Sequence, residues 1–185
     1  GRYEEAVHSL SRTVELDPDA VASRANLARA LLTLDRKDEA LEHLKVAARN
    51  DPNDLDSRRQ IVGLLREAGR GASALPYLDQ ILWRDSEDVA AKSMMAWILA
   101  TSRDEQARDG QRAVRVARGA VRQTSERDPL ALAALAAAMA EVGRAADAVE
   151  VAKKAERLAA SADGRLAEDL RRQIRTYEKG RPYRE

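Results

Sequence analysis

The sequence predicts an all-α fold of antiparallel helix pairs, and three observations carry that expectation. Apolar residues recur on one 34-residue period: Ala6, Ala40 and Ala74; Leu10, Leu44 and Leu78; Leu27, Ile61 and Met95; Leu31, Leu65 and Leu99. Within each period the apolar positions follow i, i+3, i+4, i+7 spacing in two separate blocks, the pattern of two amphipathic helices. Composition agrees with both: aromatic residues are 3% of the chain, Phe is absent, and Ala is heavily used within a 44% hydrophobic fraction. A sheet protein would draw more on β-branched and aromatic side chains.

Taken in order, the elements begin partway through a period. Residues 1–20 match only the second helix of a pair, with Val7, Leu10 and Val14 on its apolar side. A full pair follows over 21–54. Leu27, Leu31 and Leu34 mark its first helix, Asp35-Arg36-Lys37-Asp38 its polar turn, and Ala40, Leu41, Leu44 and Ala47 its second helix. Asp51-Pro52 ends that helix, because proline lacks an N–H and disfavours helical geometry in the residue before it. The next pair, 55–88, turns at Gly69. The pair over 89–128 is irregular: the phase of Ala74 returns at Ala113, five residues late, and the extra material lies within 102–110. Regular form resumes over 129–162 with Leu135, Met139, Gly143 and Ala148. Residues 163–185 then read as a capping helix, about 165–178, and a short tail. Leu166, Leu170, Ile174 and Tyr177 stripe one face of that helix, and Glu168, Asp169, Arg171, Arg172 and Arg175 charge the other. A terminal element with one polar face is what a stack of repeats needs, since each repeat buries its core only against its neighbours.

The period and the two-helix unit resemble the tetratricopeptide repeat family, a helix–turn–helix of about 34 residues. Residues carrying the resemblance include Leu27-Ala28, the turn at Gly69, Ala40 and Ala74 at the helix–helix contact, and Pro18 and Pro52 at repeat ends. Arg24, Arg58 and Lys92 stand where the family often has an aromatic early in the first helix. The segment from Ala100-Thr101-Ser102 to Ala113-Val114 is similar to a variant found near the C-terminal end of many bacterial members. The resemblance implies a right-handed superhelical solenoid with a C-terminal capping helix. It also implies a C-terminal repeat array of a longer bacterial protein. The uncapped apolar side of residues 1–20 then becomes a candidate self-association face, through which the chain would form a homo-oligomer.

Charge and motif content bound the function. Lys plus Arg total 32 against 31 Asp plus Glu, a net charge of +1, whereas nucleic-acid binders draw affinity from a basic excess. Cys is absent, so disulfides and thiolate metal sites are excluded, and the compartment stays open. No apolar run approaches the roughly 20 residues that span a bilayer. Phosphate-loop, dinucleotide, nucleophile-elbow and zinc-protease motifs are all missing. The two histidines, His8 and His43, lack the cysteines and the orienting partners that support a metal pair, and Gly69-Arg70-Gly71 sits at a repeat turn without a phosphate-binding lysine. No catalytic residue, metal or cofactor is expected.

The resemblance implies binding of a protein or peptide segment along the first helices of the pairs. Carried over residue by residue, the groove positions are Asn26, Arg29, Arg59, Gln60, Arg66, Met94, Trp97 and Thr101. Asn26 matches the Asn of the family's carboxylate clamp, but Asp56 and Gln60 replace its cations, so carboxy-terminal tails are not the expected ligand. Arg29, Arg59 and Arg66 instead favour acidic side chains. Trp97 and Met94 offer an apolar anchor, although Trp97 packed beneath the irregular repeat is an equal reading. Trp83 reads as inter-repeat packing. The alternative function is an accessory or assembly region acting by self-association or intramolecular packing.

Overall fold

A computed structural model describes residues 1–160 and 163–185; the expected end of the fourth pair, at 162, lies outside the described residues. The described chain holds ten α-helices and no strand: α1 (Arg2–Leu16), α2 (Val21–Thr33), α3 (Lys37–Asn50), α4 (Leu55–Glu67), α5 (Leu75–Arg84), α6 (Val89–Thr101), α7 (Gly110–Gln123), α8 (Pro129–Glu141), α9 (Ala145–Ala160) and α10 (Gly164–Tyr177). They group into two compact units, Gly1–Arg84 and Asp85–Glu185.

In the first unit each helix from α1 to α5 packs on the next. Leu27, Leu31, Ala40, Leu44, Ala47, Ile61, Leu65, Ala74, Leu78 and Ile81, all on the predicted apolar phases, are buried. The turns repeat as faithfully as the core. Asp35 and Gly69, one period apart, both adopt positive φ, 58° and 68°. Each lets the following N–H reach back to a carbonyl near the helix end, Arg36 N to Leu31 O at 2.9 Å and Arg70 N to Leu65 O at 2.7 Å. This is the Schellman closure, which glycine enters without the strain a Cβ brings. A 3₁₀ turn, Gly71–Ala74, precedes α5. Pro76 has no N–H to give to a carbonyl four residues back, so the α-helical bonding pattern is incomplete there.

The cations that replace the family aromatic fasten the turns between pairs. Arg24 Nε donates to Pro18 O at 2.7 Å. Arg58, 5% exposed, donates to Ala48 O at 2.6 Å, Asp54 O at 2.8 Å, Asp51 O at 3.1 Å and Gln80 Oε1 at 2.8 Å. Its guanidinium thereby caps the C-terminal end of α3, where unpaired carbonyls and the helix dipole favour a cation. Lys92, at the same phase in the second unit, bonds Gln123 Oε1 at 2.5 Å and lies 3.7 Å from Glu87.

The second unit is organised around α8, in which every residue from Ala131 to Ala140 is buried. A helix apolar on all sides belongs in an interior, and α8 packs against α6, α7 and α9. Its alanines leave no bulk between backbones. Aspartates cap the helix starts: Asp88 accepts from Ala91 N, Asp109 from Arg112 N, Asp128 from Leu130 N and Asp163 from Leu166 N. Helix α10 covers α9, burying Leu170, Ile174 and Tyr177 and leaving Arg171, Arg172 and Arg175 outside.

Candidate partner-binding faces

In the first unit, the stripe Leu27, Ala28, Ala30, Leu31 turns α2 inward and leaves Asn26 and Arg29 exposed. On α4, burial of Ile61, Val62 and Leu65 leaves Arg59 and Arg66 exposed and Gln60 half-buried. Asp56 reaches Arg59 at 3.3 Å, so part of that cation's charge is answered within the helix. No carboxylate among the described residues stands within 4 Å of Arg29 or Arg66. Between Gln60 and Arg66, Gly63 occupies the middle of α4, and a Cβ built there would meet nothing within 4 Å. Intrachain packing therefore gives no reason for a residue that weakens a helix interior by about 1 kcal/mol relative to alanine.

In the second unit, the corresponding helix is α6. Met94 and Trp97 are half-buried, and Thr101 is 1% exposed with its hydroxyl donating to Trp97 O at 2.9 Å. The chain's own tail covers this part of α6. Trp97 Nε1 donates to Glu185 Oε2 at 2.6 Å, and its ring lies 5.9 Å from that of Tyr183 at 42°. Arg184 donates to Ala100 O at 3.1 Å and pairs with Glu141 at 2.6 Å. Glu141 also takes Arg108 at 3.3 Å, and Arg108 in turn holds the inserted loop through Ser102 O and Glu105. On α8, the first helix of the next pair, Ala133, Ala134 and Ala137 are buried.

Nothing read from the sequence pointed to these tail contacts. The signals were present: Gly180 adopts φ 69° and reverses the chain after α10, and Pro182-Tyr183 places an aromatic in an otherwise polar segment.

Elsewhere, Trp83 is 75% exposed rather than packed between repeats, and the Arg84 guanidinium sits 4.4 Å from its ring centre. It borders a cleft of about 600 Å³ with Tyr77, Pro52, Arg49 and Lys45. On α1, Val14 is buried, while Val7 and Leu10 are half-buried. His8 is exposed. His43 is half-buried beside Arg24, and desolvation, helped by that charge, holds its pKa below the usual histidine value. No group of His, Asp or Glu among the described residues could hold a metal ion, and no described helix is long and apolar enough to cross a membrane.

Residues 1–54 match the tetratricopeptide repeat family. No curated protein matches the chain in sequence. Among solved structures, YrrB, described as a TPR protein with an unusual peptide-binding site, is 19% identical with a TM-score of 0.74, over 92% of this chain and 84% of YrrB. MamA from Desulfovibrio magneticus RS-1 is 18% identical with a TM-score of 0.68, over 88% of this chain and 89% of MamA. MamA from AMB-1 is 20% identical with a TM-score of 0.69, over 88% and 92%. At these identities the likeness is one of fold. That fold is in general a non-catalytic scaffold for protein–protein interaction. Residues 1–54 thus carry the sequence of a tetratricopeptide repeat, and the chain as a whole has the fold of solved tetratricopeptide repeat proteins.

Proposed function

We propose that the chain is a protein-binding scaffold whose α2 and α4 faces take an extended or helical segment carrying acidic and apolar residues. The observation that carries this reading is the surface around Gly63. Arg66 stands three residues beyond it with no carboxylate in reach, and the glycine leaves open backbone that no side chain of the chain itself fills. Arg29, in phase with Gly63 on the first helix of the preceding pair, adds a second cation without a carboxylate. Guanidinium groups bind carboxylates in a bidentate fork, and a glycine lets a partner approach the helix backbone closely. Asp56 repels any carboxylate brought near Arg59, so the acidic side chains fit beside Arg29 and Arg66 instead.

Selection of random peptides displayed on phage, on wild type and on an Arg29→Glu/Arg66→Glu variant with matching circular dichroism, tests this. Wild type should enrich sequences with Asp or Glu flanking an apolar residue, and the variant should not. Enrichment of the same sequences by both overturns the assignment to these helices.

A further inference from the structure

Helix α6 ends with carbonyls that its own backbone cannot use. Ile98 O accepts from Ser102 N at 3.1 Å, and Leu99 O accepts from Asp109 N at 3.0 Å. The remaining two belong to Ala100 and Thr101, each 1% exposed, and both accept from the tail: Arg184 bonds Ala100 O at 3.1 Å, and Glu185 N bonds Thr101 O at 3.0 Å. Beside them, the Trp97 indole N–H meets a carboxylate, the Trp97 ring meets an aromatic ring, and Glu141 meets a guanidinium. Each of these groups faces its chemical complement on a segment that has no secondary structure of its own.

We propose that this surface of α6 and Glu141 is a recognition site for an extended protein segment bearing an aromatic residue, an arginine and a carboxylate in succession. Tyr183-Arg184-Glu185 is its resident occupant, which such a segment displaces. Pairing orphan backbone groups with an extended chain, while side chains sort by chemistry, is a recurring mode of peptide recognition. The occupant is held by separable contacts, and Tyr183 and Arg184 stay only half-buried. The entropy lost in ordering an irregular segment offsets much of what these contacts contribute, which makes the tail exchangeable. The inserted loop belongs to the site: Arg108 holds Glu141 at Oε1 while Arg184 pairs with Oε2, fixing the carboxylate that selects the arginine. This site shares no residue with the face on α2 and α4, and its ligand must carry an arginine that the other does not need, so each stands or falls alone.

The test uses the full chain with Trp83→Phe, which leaves Trp97 as the single tryptophan, and the amidated peptide Gly-Arg-Pro-Tyr-Arg-Glu beside a scrambled version. In a Tyr183→Ser/Arg184→Ser variant, Trp97 emission should shift to the red. That variant should bind the peptide about tenfold more tightly than its parent, in which the tethered tail competes. Glu141→Gln in the same background should weaken the binding, and the scrambled peptide should not bind. In the parent, millimolar peptide should speed hydrogen exchange at the Glu185 amide, a readout that needs no variant to fold. A variant with unchanged circular dichroism that ignores the peptide overturns the proposal, as does equal binding of the scrambled sequence. So does a Glu185 amide unmoved by peptide, which would make the tail a fixed cap. A parent that sediments as a dimer, and a tail variant that does not, would place the tail on a second copy and overturn occupancy within one chain.

Discussion

Replacing Arg58 with methionine keeps an apolar stem of similar length and removes the guanidinium. Four hydrogen bonds are lost, and their acceptors fare differently. Ala48 is 4% exposed, so its carbonyl becomes a buried acceptor without a donor, an effect of about 1–3 kcal/mol. The carbonyls of Asp51 and Asp54 lie in a half-buried turn and regain water, at a net loss of about 0.5–1 kcal/mol each. Relief of the buried charge offsets part of the total, which leaves about 2–4 kcal/mol. With a urea slope of about 2 kcal/mol/M, the midpoint followed by circular dichroism should fall by about 1–2 M. Arg58→Lys, with one ammonium for several acceptors, should fall between the two. A midpoint within about 0.3 M of wild type would refute the role of Arg58 as the cap of α3.

Three further outcomes are expected. Gly63→Ala should raise stability by about 0.5–1 kcal/mol in urea melts, because the new methyl meets nothing, and the same change should weaken binding of any segment selected on this face. Asp35→Gly should stabilise the first unit by a few tenths of a kcal/mol or more, since glycine enters φ 58° without the strain of a Cβ while retaining the turn. His43, whose folded pKa is depressed by desolvation and then by Arg24, binds a proton more readily when unfolded. Its contribution is fully present above the unfolded histidine value of about 6.5 and is lost as pH falls below it toward the lower folded value, so His43→Gln should flatten the decline of the urea midpoint between pH 7 and pH 5.

Legibility followed the kind of interaction. Leu27, Ile61 and Met95 sit on one phase and are all buried, because burial of a helix stripe is a property of spacing. The turn at Asp35 was equally plain, since the same backbone conformation recurs at Gly69. The capping helix, expected at about 165–178, runs Gly164–Tyr177. The tail was not legible as more than a polar segment. Its placement depends on which carbonyls of α6 remain unpaired once Asp109 has taken Leu99 O, a fact of three-dimensional closure rather than of periodicity. Arg58 looked like a departure from the family pattern, yet it satisfies carbonyls of the preceding helix and turn, and no local pattern shows where those carbonyls point. Trp83 read as packed because large aromatics usually are, but α5 turns it outward beneath Arg84.

The scaffold reading is tested most directly by nuclear magnetic resonance of the full chain during titration with the acidic, apolar peptide enriched on wild type. The account predicts that amide shifts concentrate on α2 and α4 around Asn26, Arg29, Gln60, Gly63 and Arg66, weaken as salt is raised, and disappear in Arg29→Glu/Arg66→Glu. Shifts concentrated instead around Tyr77 and Trp83, or along α1, would contradict it.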